Sequence, residues 1–236
     1  FSWTNVPLGD YTLTAVATDN LGGISTSTPI NIRVLSPALL IAGSTTLNTS
    51  DAAIKTRLEG LNYAVTVKAA SSAVTADATG KAVVVISSTV TPTAVGTKFR
   101  AVAVPVVTWE SGLYTNMGMT GSTNKDFGTL TKQTQVKITN PAHPLAAGLS
   151  GTVTVVTASG TFDWGKPNAN AASIATAASD ATKVLIFGYA AGAVMPGLTA
   201  PARRVGVFAH DTTAVGFTTN GGLLFDAAIK WATGRI

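Results

Sequence analysis

Proton transfer in this 236-residue chain would have to rest on few side chains, because it holds only 2 histidines and 11 acidic residues. His210 stands directly before Asp211, and Glu110 is the third acid-base candidate. Histidine titrates near neutrality and a neighbouring carboxylate can orient it, so His210, Asp211 and Glu110 form a candidate catalytic group built around a general base. The competing reading makes Asp211 the cap of a following turn and His210 a packed, hydrogen-bonded side chain. A metal ion would require three or more of His143, His210, Glu110 and Asp211 to converge. That supply is thin and His143 precedes Pro144 in a turn-like segment, so neither a metal nor any other cofactor is expected. With 0 cysteines, thiolate chemistry and disulfides are both excluded. Ser111 is no better placed as a nucleophile. A serine elbow places glycines on both sides of the serine, and Glu110-Ser111-Gly112 has one only after it.

The aromatic residues could instead bind rings. Trp109, Tyr114, Phe162, Trp164 and Tyr189 offer apolar faces for sugars, with core packing as the alternative for each. Trp164, in Thr161-Phe162-Asp163-Trp164-Gly165 between glycine-rich turns, is expected to be the exposed one, whereas Trp3 and Trp231 read as structural. Charged residues make up only 11% of the chain against 46% hydrophobic, which leaves a surface of Thr, Ser, Asn, Gly and Ala. That composition is common in secreted bacterial modules, and a secreted or cell-surface location is expected. The net charge of +5 comes from scattered basic residues with Arg203-Arg204 as the only adjacent pair, so no nucleic-acid partner is expected. Apolar runs such as Ala82 to Ile86 and Ala101 to Val107 are far shorter than the ~20 residues of a membrane span.

The elements that must position these residues read as alternating strand and helix from Ala38 onward. Leu39 to Ala42, Ala64 to Lys68, Ala82 to Ile86 and Val104 to Thr108 are apolar or β-branched runs, the pattern of parallel strands buried on both faces. Between them fall a helix over Ser50 to Leu61, with Ser50 as N-cap, and a short helix over Thr93 to Arg100. Residues 120 to 170 read as an insertion or an antiparallel extension, with strands at Gln135 to Ile138 and Thr152 to Val156. Val184 to Phe187 and Val205 to Phe208 return as core strands, and Gly221 to Trp231 closes the chain with Leu223, Leu224, Ala227, Ala228 and Trp231 on one face. The fold class is therefore α/β, a flavodoxin-like doubly wound and mostly parallel sheet. Ligands of such sheets bind beyond the carboxyl ends of the strands. Those ends collect Ser44, Thr45, Ser87, Ser88, Trp109, Glu110, Gly188, Tyr189, His210 and Asp211; Ser44, Ser88, Trp109 and Tyr189 from this set, with Trp164 from the separate TFDWG segment, are the expected ligand-binding residues.

Residues 1 to 35 read differently, as a hairpin of period two folded at Asp19-Asn20-Leu21-Gly22-Gly23. The run WTNVPLGDYTLTAVATDNLGG resembles the last strands of bacterial immunoglobulin-like domains. An isolated hairpin is marginally stable at best, so it is expected to pack on the α/β domain or to pair with another chain. The opening residues lack the charged and apolar regions of a signal peptide, and the chain reads as a piece of something longer. The organisation expected is 1–36 as an immunoglobulin-like fragment and 37–236 as the α/β domain.

Three segments of the second part resemble the trehalose-utilisation (ThuA-like) branch of the glutamine-amidotransferase-like superfamily. They are Asn140 to Leu149 (NPAHPLAAGL), Arg204 to Asp211 (RVGVFAHD) and Leu223 to Gly234 (LLFDAAIKWATG). The resemblance implies the flavodoxin-like fold, and it implies that an amidotransferase cysteine would stand on an elbow after the strand ending at Thr108. Thr108-Trp109-Glu110-Ser111-Gly112 holds Trp or Glu in that place. Three functions follow from these residues. The favoured one is a non-catalytic accessory module of a secreted multidomain protein, partnered by upstream immunoglobulin-like domains and binding glycan or another surface. The others are a self-assembling surface or filament protein that exchanges strands through residues 1 to 35, and a sugar-related ThuA-like enzyme using His210 and Asp211.

Overall fold

The continuous apolar runs form the centre of one large sheet in the computed structural model, which describes residues 2–4 and 6–236. Phe1 and Asn5 of the opening segment lie outside the described residues. Five parallel strands build that centre: β5 (Ser36–Ala42), β6 (Tyr63–Ala69), β7 (Val83–Ile86), β8 (Val106–Thr108) and β15 (Arg204–Gly206). Their spatial order β6-β5-β7-β8-β15 is the 2-1-3-4-5 arrangement of flavodoxin-like sheets. Beyond β15 the sheet continues antiparallel through β14 (Val184–Tyr189), β13 (Ala172–Thr176), β10 (Gln135–Ile138) and β11 (Gly151–Thr154). β12 (Gly160–Gly165) and β9 (Phe127–Gln133) form a branch that joins the sheet at β14.

Strand alternation divides the core between two faces. Ala38, Leu40, Val83, Val85 and Val107 turn to one face, and Leu39, Ile41, Val84, Ile86 and Val106 to the other. The first face is covered by α1 (Thr49–Gly60) and α3 (Thr219–Thr233). Arg57 of α1 joins the two helices by a bidentate pair with Asp226 of α3, at 2.5 and 2.9 Å. The N-cap of α1 is Asn48 rather than Ser50: Asn48 Oδ1 accepts from the Asp51 N–H at 2.7 Å, and Ser50 is buried in the first turn of the helix. On α3, Leu223 is 41% exposed, while Phe225, Ile229 and Ala232 join Leu224, Ala228 and Trp231 in the core. Gly221 is what lets this helix come so close, since a Cβ there would run into the Val155 carbonyl.

The second face is covered mainly by short pieces. The helix expected over Thr93 to Arg100 is the single turn α2 (Pro92–Val95), closed by Gly96 at φ 54°, and Phe99, Leu113, Tyr114, Met117 and Met119 fill the face from turns. Arg204 closes the amino-terminal end of β15. Its guanidinium is buried and donates to the carbonyls of Arg100, Val102, Val104, Ala202 and Arg203 at 2.7–3.2 Å. Burial without a carboxylate pulls its pKa down to about 10.

Residues 9 to 34 form a ribbon outside this sheet: β1 (Gly9–Leu13) pairs with β4 (Ile30–Val34), and β2 (Val16–Thr18) with β3 (Ile24–Thr26). Asp19 makes its turn, accepting at one carboxylate oxygen from the N–H groups of Leu21 and Gly23 at 2.9 and 2.7 Å. Leu13, Val16, Leu21, Ile24 and Ile30 are all exposed. Arg33 reaches the body through Asn62.

Candidate functional site

The chemistry-bearing side chains gather where β7, β8 and β15 end. His210 follows β15 on a turn that Thr213 holds: the His210 N–H donates to Thr213 Oγ1 at 2.7 Å, and the Thr213 N–H returns to the His210 carbonyl at 3.0 Å. The His210 Nδ1 lies 2.6 Å from Asp163 Oδ2 of β12, a side chain only 1% exposed. Asp163 Oδ1 accepts from the Ser111 N–H at 3.0 Å. This fixes the imidazole in one orientation and leaves Nε2 without a hydrogen bond among the described residues, on a ring 27% exposed. The hydrogen bond that His210 donates to Asp163 pulls the His210 pKa up, opposed by burial. Burial pushes Asp163 up in turn, opposed by its bonds to His210 and Ser111.

Glu110, just past β8, completes the group. Its Oε1 accepts from the Gly112 N–H at 2.8 Å. Burial is the main force raising its pKa to about 7, helped by the charges of Asp163 and Asp211 and opposed by the Gly112 bond and by His210. An acid raised by burial thus bears on a histidine held by a buried aspartate, a pairing suited to moving protons. Asp211 bears electrostatically on Glu110, His210 and Asp51. Its carbonyl accepts from Asn48 Nδ2 at 3.3 Å, while its Oδ1 is buried with no hydrogen-bond partner. Asp51 belongs to a separate latch on α1, with Ser87 Oγ and Thr89 Oγ1 donating to it at 2.6 and 2.7 Å.

The structure brings together Glu110, His210 and Asp211 and sets the other candidates apart. His143 lies at the amino-terminal end of β15, beside Trp231 at 5.6 Å, and its Nδ1 accepts from the Leu145 N–H, so it caps a turn. No three of the described His, Asp and Glu side chains are arranged to hold a metal ion. Ser111 makes no hydrogen bond to His210 among the described residues, and no residue from Thr108 to Ser111 has a positive φ, so the strained elbow of a nucleophile is missing as well as the thiol. Ser44 is exposed in a cleft of about 190 Å³ with Gly43, Asn48 and Asp51, and Ser88 is buried with its Oγ unpartnered.

The expected aromatic platform is not there. Trp109 is 1% exposed and packs edge-on against Phe225 of α3 at 5.6 Å. Trp164 is 6% exposed, because residues 160–165 are a strand rather than a loop, and Lys183 covers its ring at 3.9 Å. Tyr189 is also buried, and since β14 runs antiparallel to β15 it pairs with Arg204, at the wrong end of the sheet for this site. Its hydroxyl donates to the Met119 carbonyl at 2.9 Å, and burial pushes its pKa up to about 12. Asp163 is the functional side chain the sequence reading passed over. Its signal was an acid between Phe162 and Trp164, which in a strand implies a carboxylate needing a buried partner.

Comparison with solved structures agrees with this architecture. A protein from Thermoplasma acidophilum described as part of a GMP synthase superposes with a TM-score of 0.55 at 13% identity, over 86% of this chain and 97% of its own. That likeness is one of fold, the flavodoxin-like α/β arrangement with its mostly parallel central sheet. PurLQS from Thermotoga maritima aligns with a TM-score of 0.49 at 10% identity, over 84% of this chain and 99% of its own. No protein-family model matches the sequence, and no curated protein matches it either.

Proposed function

We propose that this amidotransferase-like fold carries a ThuA-like acid-base site, with proton transfer by His210 and Glu110 in place of thiolate attack. The observation that carries the proposal is the 2.6 Å pairing of His210 Nδ1 with the buried Asp163, beside a Glu110 whose pKa stands at about 7. Such perturbed and paired groups at strand ends are a mark of sites rather than of inert surface. In this reading His210 Nε2 takes a proton from the carbon next to a carbonyl. Glu110 gives one to the carbonyl oxygen, and the reverse transfers return a proton from solvent. Glu110, Asp163 and Asp211 give the site an acidic lining, which disfavours phosphorylated and other anionic substrates and favours an uncharged sugar or small carbonyl compound.

The test is incubation with D-glucose, D-fructose, D-ribose and D-xylose in D2O, following replacement of C–H by C–D beside the carbonyl by proton NMR. Exchange in the wild type that is lost in His210→Ala supports the reading. No exchange with any sugar, or full exchange in His210→Ala, refutes it.

A second reading is favoured by the exposed apolar side chains of the ribbon, Leu13, Val16, Leu21, Ile24 and Ile30. They suit a strand pair that docks on a neighbouring immunoglobulin-like module or on another copy. The domain would then be an accessory or assembling module of a secreted multidomain protein. Size-exclusion chromatography with and without residues 1–35 tests the self-association part, which fails if both forms are monomers.

A further inference from the structure

A cleft of about 370 Å³ opens beside the turn that carries His210, within the roughly 300–1,000 Å³ typical of small-molecule sites. One wall is the loop from Val156 to Ser159, and the other is the turn from Thr212 to Gly216. The backbone clasps these walls together: the Thr157 N–H donates to the Gly216 carbonyl at 2.8 Å, and the Thr218 N–H to the Val155 carbonyl at 3.0 Å. Gly160 lies against Thr213, and a Cβ there would come within 2.8 Å of the threonine methyl. Thr213 in turn exchanges hydrogen bonds with His210, accepting from its N–H at 2.7 Å and donating to its carbonyl at 3.0 Å. The same two segments continue to the proton-transfer group, where the Asp163 N–H donates to the Phe208 carbonyl at 3.1 Å and Asp163 Oδ2 lies 2.6 Å from His210. The cleft is therefore built from the strand and the turn that assemble the site, and its shape is set before any ligand arrives.

Its lining sets the chemistry. No Lys, Arg, Asp or Glu lines it, so neither an anion nor a cation finds a counter-charge there. Ser159 and Thr212 are exposed, one on each wall, and neither hydroxyl bonds to another of the described residues. Each can both donate and accept. Ala158 and Val215, also exposed, add methyl groups to the two walls. Hydroxyls interspersed with methyls match a sugar ring, whose edge carries hydroxyls and whose faces carry C–H groups. A peptide would call for a strand edge, and neither wall is a strand.

We infer that this cleft is a binding subsite for a ring of an uncharged sugar, held by Ser159 and Thr212 beside the His210 turn. The inference deepens the sugar reading proposed above and rests on it for the ligand class. It is separable from the catalysis, because no residue of the cleft moves a proton.

The test is titration of the full chain with the same four sugars, maltose and cellobiose, following the backbone amide resonances by NMR. At least one sugar should shift the amides of Ala158, Ser159, Thr212 and Val215. Ala158→Trp, which fills the cleft from an exposed position, should weaken that binding about tenfold or more. Ser159→Ala and Thr212→Val each remove one hydroxyl from an exposed position and should each weaken it about threefold or more. No shift of these amides with any of the sugars overturns the inference. So does unchanged affinity in Ala158→Trp, or in both Ser159→Ala and Thr212→Val. Cleft binding without C–H exchange leaves it standing and refutes the catalytic reading instead. C–H exchange that Ala158→Trp leaves at the wild-type rate does the reverse.

Discussion

Replacing Glu110 with Gln should change how the stability of this protein depends on pH. In the fold, burial raises the Glu110 pKa from 4.5 to about 7, so the folded state keeps a proton that the unfolded chain gives up first. Across that window the folded state binds more protons, and stability falls as pH rises. Each pH unit of that window corresponds to about 1.4 kcal/mol, which sets a ceiling of roughly 3 kcal/mol. The side chain is part-exposed, and solvent screening lowers the expected effect to roughly 2 kcal/mol. The amide of the Glu110→Gln variant has no proton to lose and can still accept the Gly112 N–H bond. The neighbours facing Glu110 also favour acid: Asp163 is raised by burial, and His210, raised by Asp163, loses its stabilising charge as pH rises through its folded pKa. They remain in both proteins, so the difference between the two isolates Glu110. Urea unfolding of wild type and Glu110→Gln from about pH 4.5 to about pH 8 should give curves that diverge by roughly 2 kcal/mol, with the variant gaining relative stability toward the alkaline end. Parallel curves would mean that Glu110 ionises as an ordinary exposed carboxylate, and the acid half of the proposed pair would be lost.

Asp163→Asn should lower the His210 pKa, because it removes the largest influence raising it, and should slow any sugar C–H exchange by about a hundredfold; NMR titration and the exchange assay read these separately. Asn48→Ala removes the side-chain cap of α1 and the bond to the Asp211 carbonyl, for an expected loss of about 1 kcal/mol in urea unfolding. Arg204→Met strips the donors from a row of carbonyls at the amino-terminal end of β15 and should destabilise by about 3 kcal/mol or more, read as a lower midpoint of unfolding.

The parallel strands were legible because a strand covered on both faces needs apolar residues at every position, and runs such as Leu39 to Ala42 and Val83 to Ile86 have them. The turn at Asp19 was legible for a similarly local reason, as were the positions of α1 and α3 to within a few residues. The missing thiol needed only the residue count. The second face was less readable: the pattern over Thr93 to Arg100 suits a helix, but Pro92 opens and Gly96 closes a single turn. Burial of Trp109, Trp164 and Tyr189 was not written in their types, since an aromatic suits a core and a binding platform equally well, and the direction of β14 came only from its pairing with β13 and β15.

Composition and local pattern thus determined that this chain builds an apolar α/β sheet without a nucleophilic cysteine, with His210 and Asp211 after its last parallel strand. Only the tertiary structure decided what His210 does there. Its partner is 47 residues away in sequence, on β12, where the Asp163 N–H donates to the Phe208 carbonyl just past β15, and burial gives Asp163 and Glu110 their shifted proton affinities. Both effects depend on which groups exclude water from one another, and that is a property of the packed chain, with no trace in the spacing of the residues.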